Sequence, residues 1–143
     1  MRHLCDSNVF IALSVESHPH HDIVVEWMNG LLSGDEAAFC RATLNSYLRV
    51  LTVREFMREN VCTNDEAISQ YRKLRSDSRV VFMDEPPAVE EEWLKFARHA
   101  EPSPKRWMDA YLAAFASVSK ARFVTFDRGF SSFHGLDLLL LRV

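Results

Sequence analysis

The chain has 143 residues, of which 48% are hydrophobic and 26% charged, as is usual for one soluble globular domain. Its net charge of −3, from 17 basic and 20 acidic residues, excludes a general attraction to nucleic acid, so any such function needs a local site. No apolar run approaches the roughly 20 residues of a membrane span, and Asp6 interrupts any signal-peptide core, so we expect a cytoplasmic protein without membrane association.

Short apolar runs alternate with stretches of helical periodicity along the chain. The runs predict five strands, at residues 3–6, 37–40, 79–82, 122–126 and 138–141. The intervening stretches predict helices over 8–14, from Pro19 to before Gly34, from a cap at Thr43 through Leu51, from a capping box at Thr63 through Leu74, over 89–97 and around Asp109. Continuous apolar strands are typical of a parallel sheet covered by helices on both faces, so we predict one α/β domain over residues 1–143.

Three of these elements carry an aspartate beside apolar residues. Asp6 ends the first strand, Asp127 ends the fourth, and Asp109 shares a helix face with Leu112 and Ala113. Ligands bind outside the carboxyl ends of parallel strands, and the Asp109 face should pack on the sheet. We therefore expect the three acids to meet at one edge.

Such a meeting is costly. Two carboxylates ~5 Å apart repel by about 3 kcal/mol at an effective dielectric near 20. Three such pairs approach ~10 kcal/mol, which rivals the ~5–15 kcal/mol stability of a whole domain. Either the acids do not meet, or some are protonated, or a divalent cation lies among them. Oxygen ligands suit Mg²⁺ or Mn²⁺, which can activate water for displacement at phosphorus.

A purely structural interpretation of two of these acids is equally open. Asp6 can cap the helix that follows it, and Asp127 can cap the turn at Arg128 and Gly129. Asp109 has no capping role, because it lies on an alanine-rich packed face. The histidines at positions 18, 20 and 21 predict a solvent-exposed helix entrance rather than a zinc site, because no Cys/His pair completes a ligand set.

Four segments resemble PIN-domain ribonucleases, especially the VapC toxins of bacterial toxin–antitoxin pairs. They are residues 4–13 (LCDSNVFIAL), 18–21 (HPHH), 107–116 (WMDAYLAAFA) and 124–130 (VTFDRGF). The resemblance extends nearly end to end. It implies a three-layer α/β/α sandwich with a central parallel sheet of about five strands and a metal site at one edge.

The resemblance also implies a function. The family cleaves RNA with Mg²⁺ or Mn²⁺, is silenced by a VapB-type antitoxin and usually forms homodimers. On that basis Asp6, Asp109 and Asp127 are the metal ligands and catalytic acids. Asn8 and Thr125 would orient the carboxylates or water, and Arg128 would hold a phosphate.

One departure from the family pattern concerns the helix after the second strand, which commonly carries a further acid. Here that position falls at Leu44 or, with a small shift, at Asn45, and neither is a carboxylate. The loss weakens divalent affinity but leaves a one-metal site possible, with Asn45 as a candidate neutral oxygen donor.

Two other functions are consistent with the pattern. A non-catalytic module would bind antitoxin or RNA without cutting it, because the family's further acid is missing. A receiver domain would need a phosphorylatable aspartate after the third strand, which Asp84 roughly provides, and a lysine after the fifth. Only Arg142 and Val143 follow the fifth strand, which argues against the receiver.

Overall fold

The central sheet has five strands within residues 1–142, the part of the chain that the computed structural model describes. The strands are β1 (Arg2–Cys5), β2 (Glu36–Phe39), β3 (Val80–Phe82), β4 (Arg122–Thr125) and β5 (Leu138–Leu140). Their order across the sheet is β3-β2-β1-β4-β5, and every neighbouring pair is parallel. Receiver domains have the order 2-1-3-4-5, so the topology excludes that alternative.

Helices cover both faces of this sheet. One face carries α1 (Ser7–Ser14), α2 (His21–Asn29), α3 (Arg41–Leu51), α4 (Arg54–Met57) and α5 (Asn64–Arg75). The other carries α6 (Val89–Ala97) and α7 (Arg106–Val118). Short 3₁₀ turns occur at Arg58–Asn60 and Arg128–Ser132. The predicted three-layer α/β/α fold is therefore confirmed. No helix in the described part of the chain is both long and apolar enough to cross a membrane.

Alternation along the strands divides the core into two layers. Leu4, Ala38 and Phe123 face α6 and α7, whereas their neighbours Cys5 and Phe39 face the opposite layer. The layer under α7 contains four buried alanines of that helix: Ala110, Ala113, Ala114 and Ala116. Small side chains allow α7 to lie close to the sheet, which brings its first turn to the carboxyl edge.

Most predicted boundaries differ from the structure by one or two residues, but two helix starts and one helix end were wrong. α2 ends at Asn29 and is capped at Gly30, rather than continuing to Gly34. Cys40, not Thr43, is the cap of α3, because β2 already ends at Phe39; the Thr43 hydroxyl accepts a hydrogen bond from the Cys40 N–H at 2.9 Å. α2 begins at His21 rather than Pro19, since residues 18–21 form a turn closed by the His21 N–H on the His18 carbonyl. The predicted Thr63 capping box is confirmed. Val143, the last residue of the predicted domain, lies outside the described residues.

Aromatic stacking in the larger core layer generates a stability prediction. The fully buried Phe39 ring stacks on Phe10 with centroids 3.8 Å apart and meets Tyr47 edge-on. We expect Phe39→Ala to lower the free energy of unfolding by about 3–5 kcal/mol, measured by urea denaturation. The matched control is Phe56→Ala, whose ring is 70% exposed and should change stability by about 0.5 kcal/mol or less. Equal losses in the two variants would contradict this description of the core.

Candidate active site at the carboxyl edge of the sheet

The two acids that follow strands lie where the strand order reverses. The chain builds β2 and β3 on one side of β1 and then crosses to place β4 on the other side. Asp6 directly follows β1, and Asp127 comes two residues after β4. Such a switch point leaves a crevice outside the strand ends, which is the usual ligand position in open α/β sheets.

The Asp6 carboxylate has two structural roles. Its Oδ1 caps α1 by accepting the Ser7 N–H at 2.8 Å, as the capping interpretation predicted. Its Oδ2 accepts the Thr125 hydroxyl at 2.7 Å and the Asn8 amide at 3.5 Å. The backbone N–H of Asp6 also continues the pairing of the strands by donating to Val124 O at 2.9 Å. Both backbone and side chain therefore fix this acid.

Thr125 links three residues of the crevice. Its fully buried hydroxyl donates to Asp6 and accepts from the Asn8 amide at 3.3 Å and from the Asp127 N–H at 3.0 Å. A hydroxyl has one hydrogen and two lone pairs, so its capacity is fully used. Asn8 and Thr125 thus contact the acids that they were predicted to orient.

Asp127 uses its two oxygens separately. Oδ1 accepts the Gly129 N–H at 2.8 Å and caps the following 3₁₀ turn. A Cβ at position 129 would lie 3.0 Å from this oxygen, so the close approach favours glycine. Oδ2 accepts from the Lys105 ammonium at 3.0 Å. Capping therefore leaves one oxygen of Asp127 directed toward α7.

Lys105 lies between Asp109 and Asp127 and contacts both. Its ammonium lies 3.5 Å from Asp109 Oδ2, so one cation contacts both carboxylates. The lysine stem is 73% exposed, while the Asp109 side chain is only 21% exposed. Lys105 was not among the residues predicted from the sequence, although its position four residues before Asp109 on the same helical face could have indicated it.

The electrostatic environment differs among the acids. Burial raises the pKa of Asp6, and the charges of Asp109 and Asp127 raise it further, against the hydrogen bonds from Thr125 and Ser7. Burial also raises the pKa of Asp109, against the Lys105 charge. Burial acts upward on Asp127 as well, but the hydrogen bonds from Lys105 and Gly129 outweigh it and lower its pKa. The pKa of Lys105 is raised by its hydrogen bond to Asp127 and by both carboxylates.

The donor atoms fit a hard divalent cation. Asp109 and Asp127 already converge on one positive charge, and Asp6 is connected to Asp127 through Thr125. Carboxylate oxygens of this kind are ligands for Mg²⁺ and Mn²⁺. Within residues 1–142, however, no three His, Cys, Asp or Glu side chains form a ready-made metal cluster. Coordination by all three acids therefore requires their side chains to move closer together.

The remaining predicted residues differ in their surroundings. Leu44 is buried in the core, and Asn45 is exposed in a groove between α3 and α5 with Leu48 and Ile68. No hydrogen bond from Asn45 to the three acids occurs among the described residues. Ser46 instead reaches the crevice, where its hydroxyl donates to Ser7 Oγ at 3.0 Å. Arg128 is exposed and begins the 3₁₀ turn beside Asp127.

Fold and site together define a PIN-domain protein. The family model for the PIN domain matches residues 4–136, and the chain belongs to that family. The resemblance predicted from the sequence is therefore confirmed.

Similarity to individual PIN-domain proteins covers nearly the whole chain. Ribonuclease VapC41 from Mycobacterium tuberculosis is 39% identical over 142 residues, which cover 96% of this chain and 97% of that protein. The crystal structure of VapBC2 from Rickettsia felis, bound to a promoter DNA fragment, contains a chain with TM-score 0.74 and 14% identity, at coverages of 99% and 100%. VapBC-1 from nontypeable Haemophilus influenzae gives 0.73 at 17% identity, with coverages of 99% and 98%.

The Thr125 hydroxyl generates a prediction about stability. Thr125→Val keeps the shape but leaves Asp6 without its shortest hydrogen bond and the Asp127 N–H without an acceptor. We expect a loss of about 1–3 kcal/mol in the free energy of unfolding, measured by urea denaturation. Thr125→Ser retains the hydroxyl and should lose less. A valine variant as stable as the parent would show that the hydroxyl contributes nothing.

Lys105 generates a prediction about titration. Lys105→Gln removes the main group that holds the pKa of Asp127 low, so we expect that pKa to rise, measured by ¹³C NMR of the aspartate carboxyl carbons. A depressed folded-state pKa stabilises the protein above the unfolded pKa, and this stabilisation is lost as the pH falls through the folded value. Lys105→Gln should lose part of this stabilisation. Lys73→Gln on α5 is the control, and an unchanged Asp127 titration in Lys105→Gln would contradict the contact.

Proposed function

We propose that this protein is the toxic component of a toxin–antitoxin pair and acts as a divalent-metal-dependent endoribonuclease. The observation that carries the proposal is the position of Asp6, Asp109 and Asp127 along one crevice at the switch point of a PIN-domain sheet, where Thr125 and Lys105 link them. The name and end-to-end similarity of the ribonuclease VapC41 support the assignment of RNA as substrate.

We assign Asp6, Asp109 and Asp127 as the metal ligands, with Mg²⁺ or Mn²⁺ as the ion. When bound at oxygen ligands, such an ion lowers the pKa of water and stabilises negative charge at phosphorus. Asp6 is the most firmly held of the three acids, because it accepts hydrogen bonds from Ser7, Thr125 and Asn8. Its role is therefore to fix the position of the site.

We assign Asp109 as the proton acceptor for the attacking water. Burial raises its pKa against the charge of Lys105, which is the direction of a stronger base while no ion is bound. Lys105 is its one close ionic partner within the described residues and can move, because the lysine side chain is largely exposed. After moving away from the carboxylates, the ammonium is available to a phosphate oxygen of the substrate. Arg128, next to Asp127, is a second phosphate contact.

We further propose a VapB-type antitoxin and a second copy of the chain as partners. The VapBC names of the structural neighbours support the antitoxin. An arginine from such a partner would form charge-assisted hydrogen bonds with the acidic crevice. We also propose that residues 1–143 form a single domain, since strands from both ends of the chain pair in one sheet.

The loss of RNA cleavage on removal of one acid tests the proposal. We expect Asp109→Asn to cut RNA at least about 10²-fold more slowly than the parent with Mg²⁺ or Mn²⁺, measured on labelled total RNA. Chelator should abolish the parent activity. Asp137→Asn is the matched control, because exposed Asp137 pairs with Arg122 at the opposite edge of the sheet.

Folding of the variant is checked separately by urea denaturation. Because burial raises the pKa of Asp109, its charge is less favourable in the folded than in the unfolded chain, so Asp109→Asn should not destabilise the protein at neutral pH. Unchanged cleavage by this folded variant would reject the catalytic assignment. A parent protein that binds RNA but cuts none under either ion would favour the non-catalytic module instead.

A further inference from the structure

A second polar cleft lies beside the acidic crevice. It has a volume of about 490 Å³ and is lined by His20, Phe126, Arg128, Ser131 and the segment 140–142. That volume is within the about 300–1,000 Å³ of small-ligand sites. Phe126 stands between Thr125 and Asp127 in the chain, and the Leu141 N–H donates to Thr125 O at 2.9 Å. The cleft therefore shares its wall with the groups that hold the acids.

Two stacked rings form one side of this cleft. His20 lies over Phe126 with centroids 4.5 Å apart and ring planes inclined by 26°. Two hydrogen bonds hold the loop that carries His20 in place. The His20 N–H donates to His18 Nδ1 at 3.0 Å, and His21 Nδ1 donates to Ala12 O at 2.8 Å. His20 is thus a positioned, partly exposed ring.

Two arginines, Arg128 and Arg142, lie on the other side of the cleft and make it positively charged. Arg128 and Arg142 are both exposed, and within residues 1–142 neither guanidinium takes part in an ion pair. Other arginines near the carboxyl edge are differently engaged: Arg41 stacks on Phe82, and Arg106 stacks on Phe133 and donates to Phe96 O. The cleft thus combines an aromatic surface with two cations, next to three acids that repel a phosphate backbone.

We infer that this cleft binds one unpaired nucleotide of the RNA next to the bond that is cut. The base stacks on His20 and packs against Leu140 and Leu141, while the adjoining phosphates contact Arg128 and Arg142. Stacking on an aromatic side chain requires a base that is free of its neighbours, so the cleft selects single-stranded segments and loops. This inference rests on the proposed RNA cleavage for the identity of the ligand.

The cleft also explains how a protein with a negative net charge attracts RNA. Because the protein has a net charge of −3, its overall electrostatic field does not attract RNA. Arg128, which follows Asp127 in the chain, and Arg142 supply local attraction in the cleft, whereas Lys105 supplies it at the start of α7.

The test measures RNA binding without cleavage. A fluorescently labelled single-stranded oligoribonucleotide of 12 mixed bases is titrated in chelator, and binding is followed by anisotropy. We expect His20→Ala to weaken binding about tenfold, and His20→Trp to restore it. The double variant Arg128→Gln/Arg142→Gln should lower the slope of log affinity against log salt by about 1.4, since each single-strand phosphate contact contributes about 0.7. Affinity for the same sequence as a duplex should not change in His20→Ala.

Matched controls are His134→Ala and Arg72→Gln, which are exposed and lie outside the cleft. Urea denaturation checks the fold, and the exposed arginines keep the test decisive if His20→Ala unfolds. Parent-like binding by both the histidine and the arginine variants would overturn the inference even if the protein cuts RNA. Cleft-dependent binding by a parent that cuts nothing would uphold the cleft as a nucleotide site and reject the proposed catalysis.

Discussion

The hydrogen bond from Thr125 to Asp6 joins the ends of the two strands that flank the switch point. One buried hydroxyl contacts a carboxylate, an amide and a backbone N–H, which come from β1, α1 and the loop after β4. Because all of its capacity is used, moving any of the three partners breaks a buried hydrogen bond. The position of Asp6 relative to Asp127 is therefore determined by the sheet itself and not by flexible loops.

In Asp6 and Asp127 the two carboxylate oxygens make different contacts. Oδ1 of each acid caps a helical turn, whereas Oδ2 of Asp6 accepts from Thr125 and Oδ2 of Asp127 accepts from Lys105. The capping and functional interpretations of these residues are thus compatible. Capping hydrogen bonds offset part of the cost of burying like charges, and Lys105 offsets the repulsion between Asp109 and Asp127. A site of this kind tolerates its charges before any ion is bound.

Negatively and positively charged side chains occupy adjacent regions at the carboxyl edge of the sheet. Three acids lie in the crevice, while Arg128, Arg142 and the His20–Phe126 stack lie on the adjoining side. A divalent ion and an RNA backbone have opposite electrostatic requirements, and adjacent regions of opposite charge satisfy both.

The sequence by itself determined the α/β class, because five apolar runs and the helical periodicities between them persist whatever their neighbours are. The Thr63 capping box and the caps at Asp6 and Asp127 were also predictable, since each stands at a recognisable position relative to a strand or helix end. Similar positions made Asp109, Asn8 and Thr125 candidates for the site. Prediction from the sequence failed where a residue's surroundings come from elsewhere in the chain. The strand order, the engagement of Lys105 by an acid 22 residues away, the stacking of His20 on Phe126 and the exposure of Asn45 were decided only by tertiary structure. The physical reason is that local propensity fixes periodicity and capping, whereas contacts between distant segments depend on how the helices pack on the sheet.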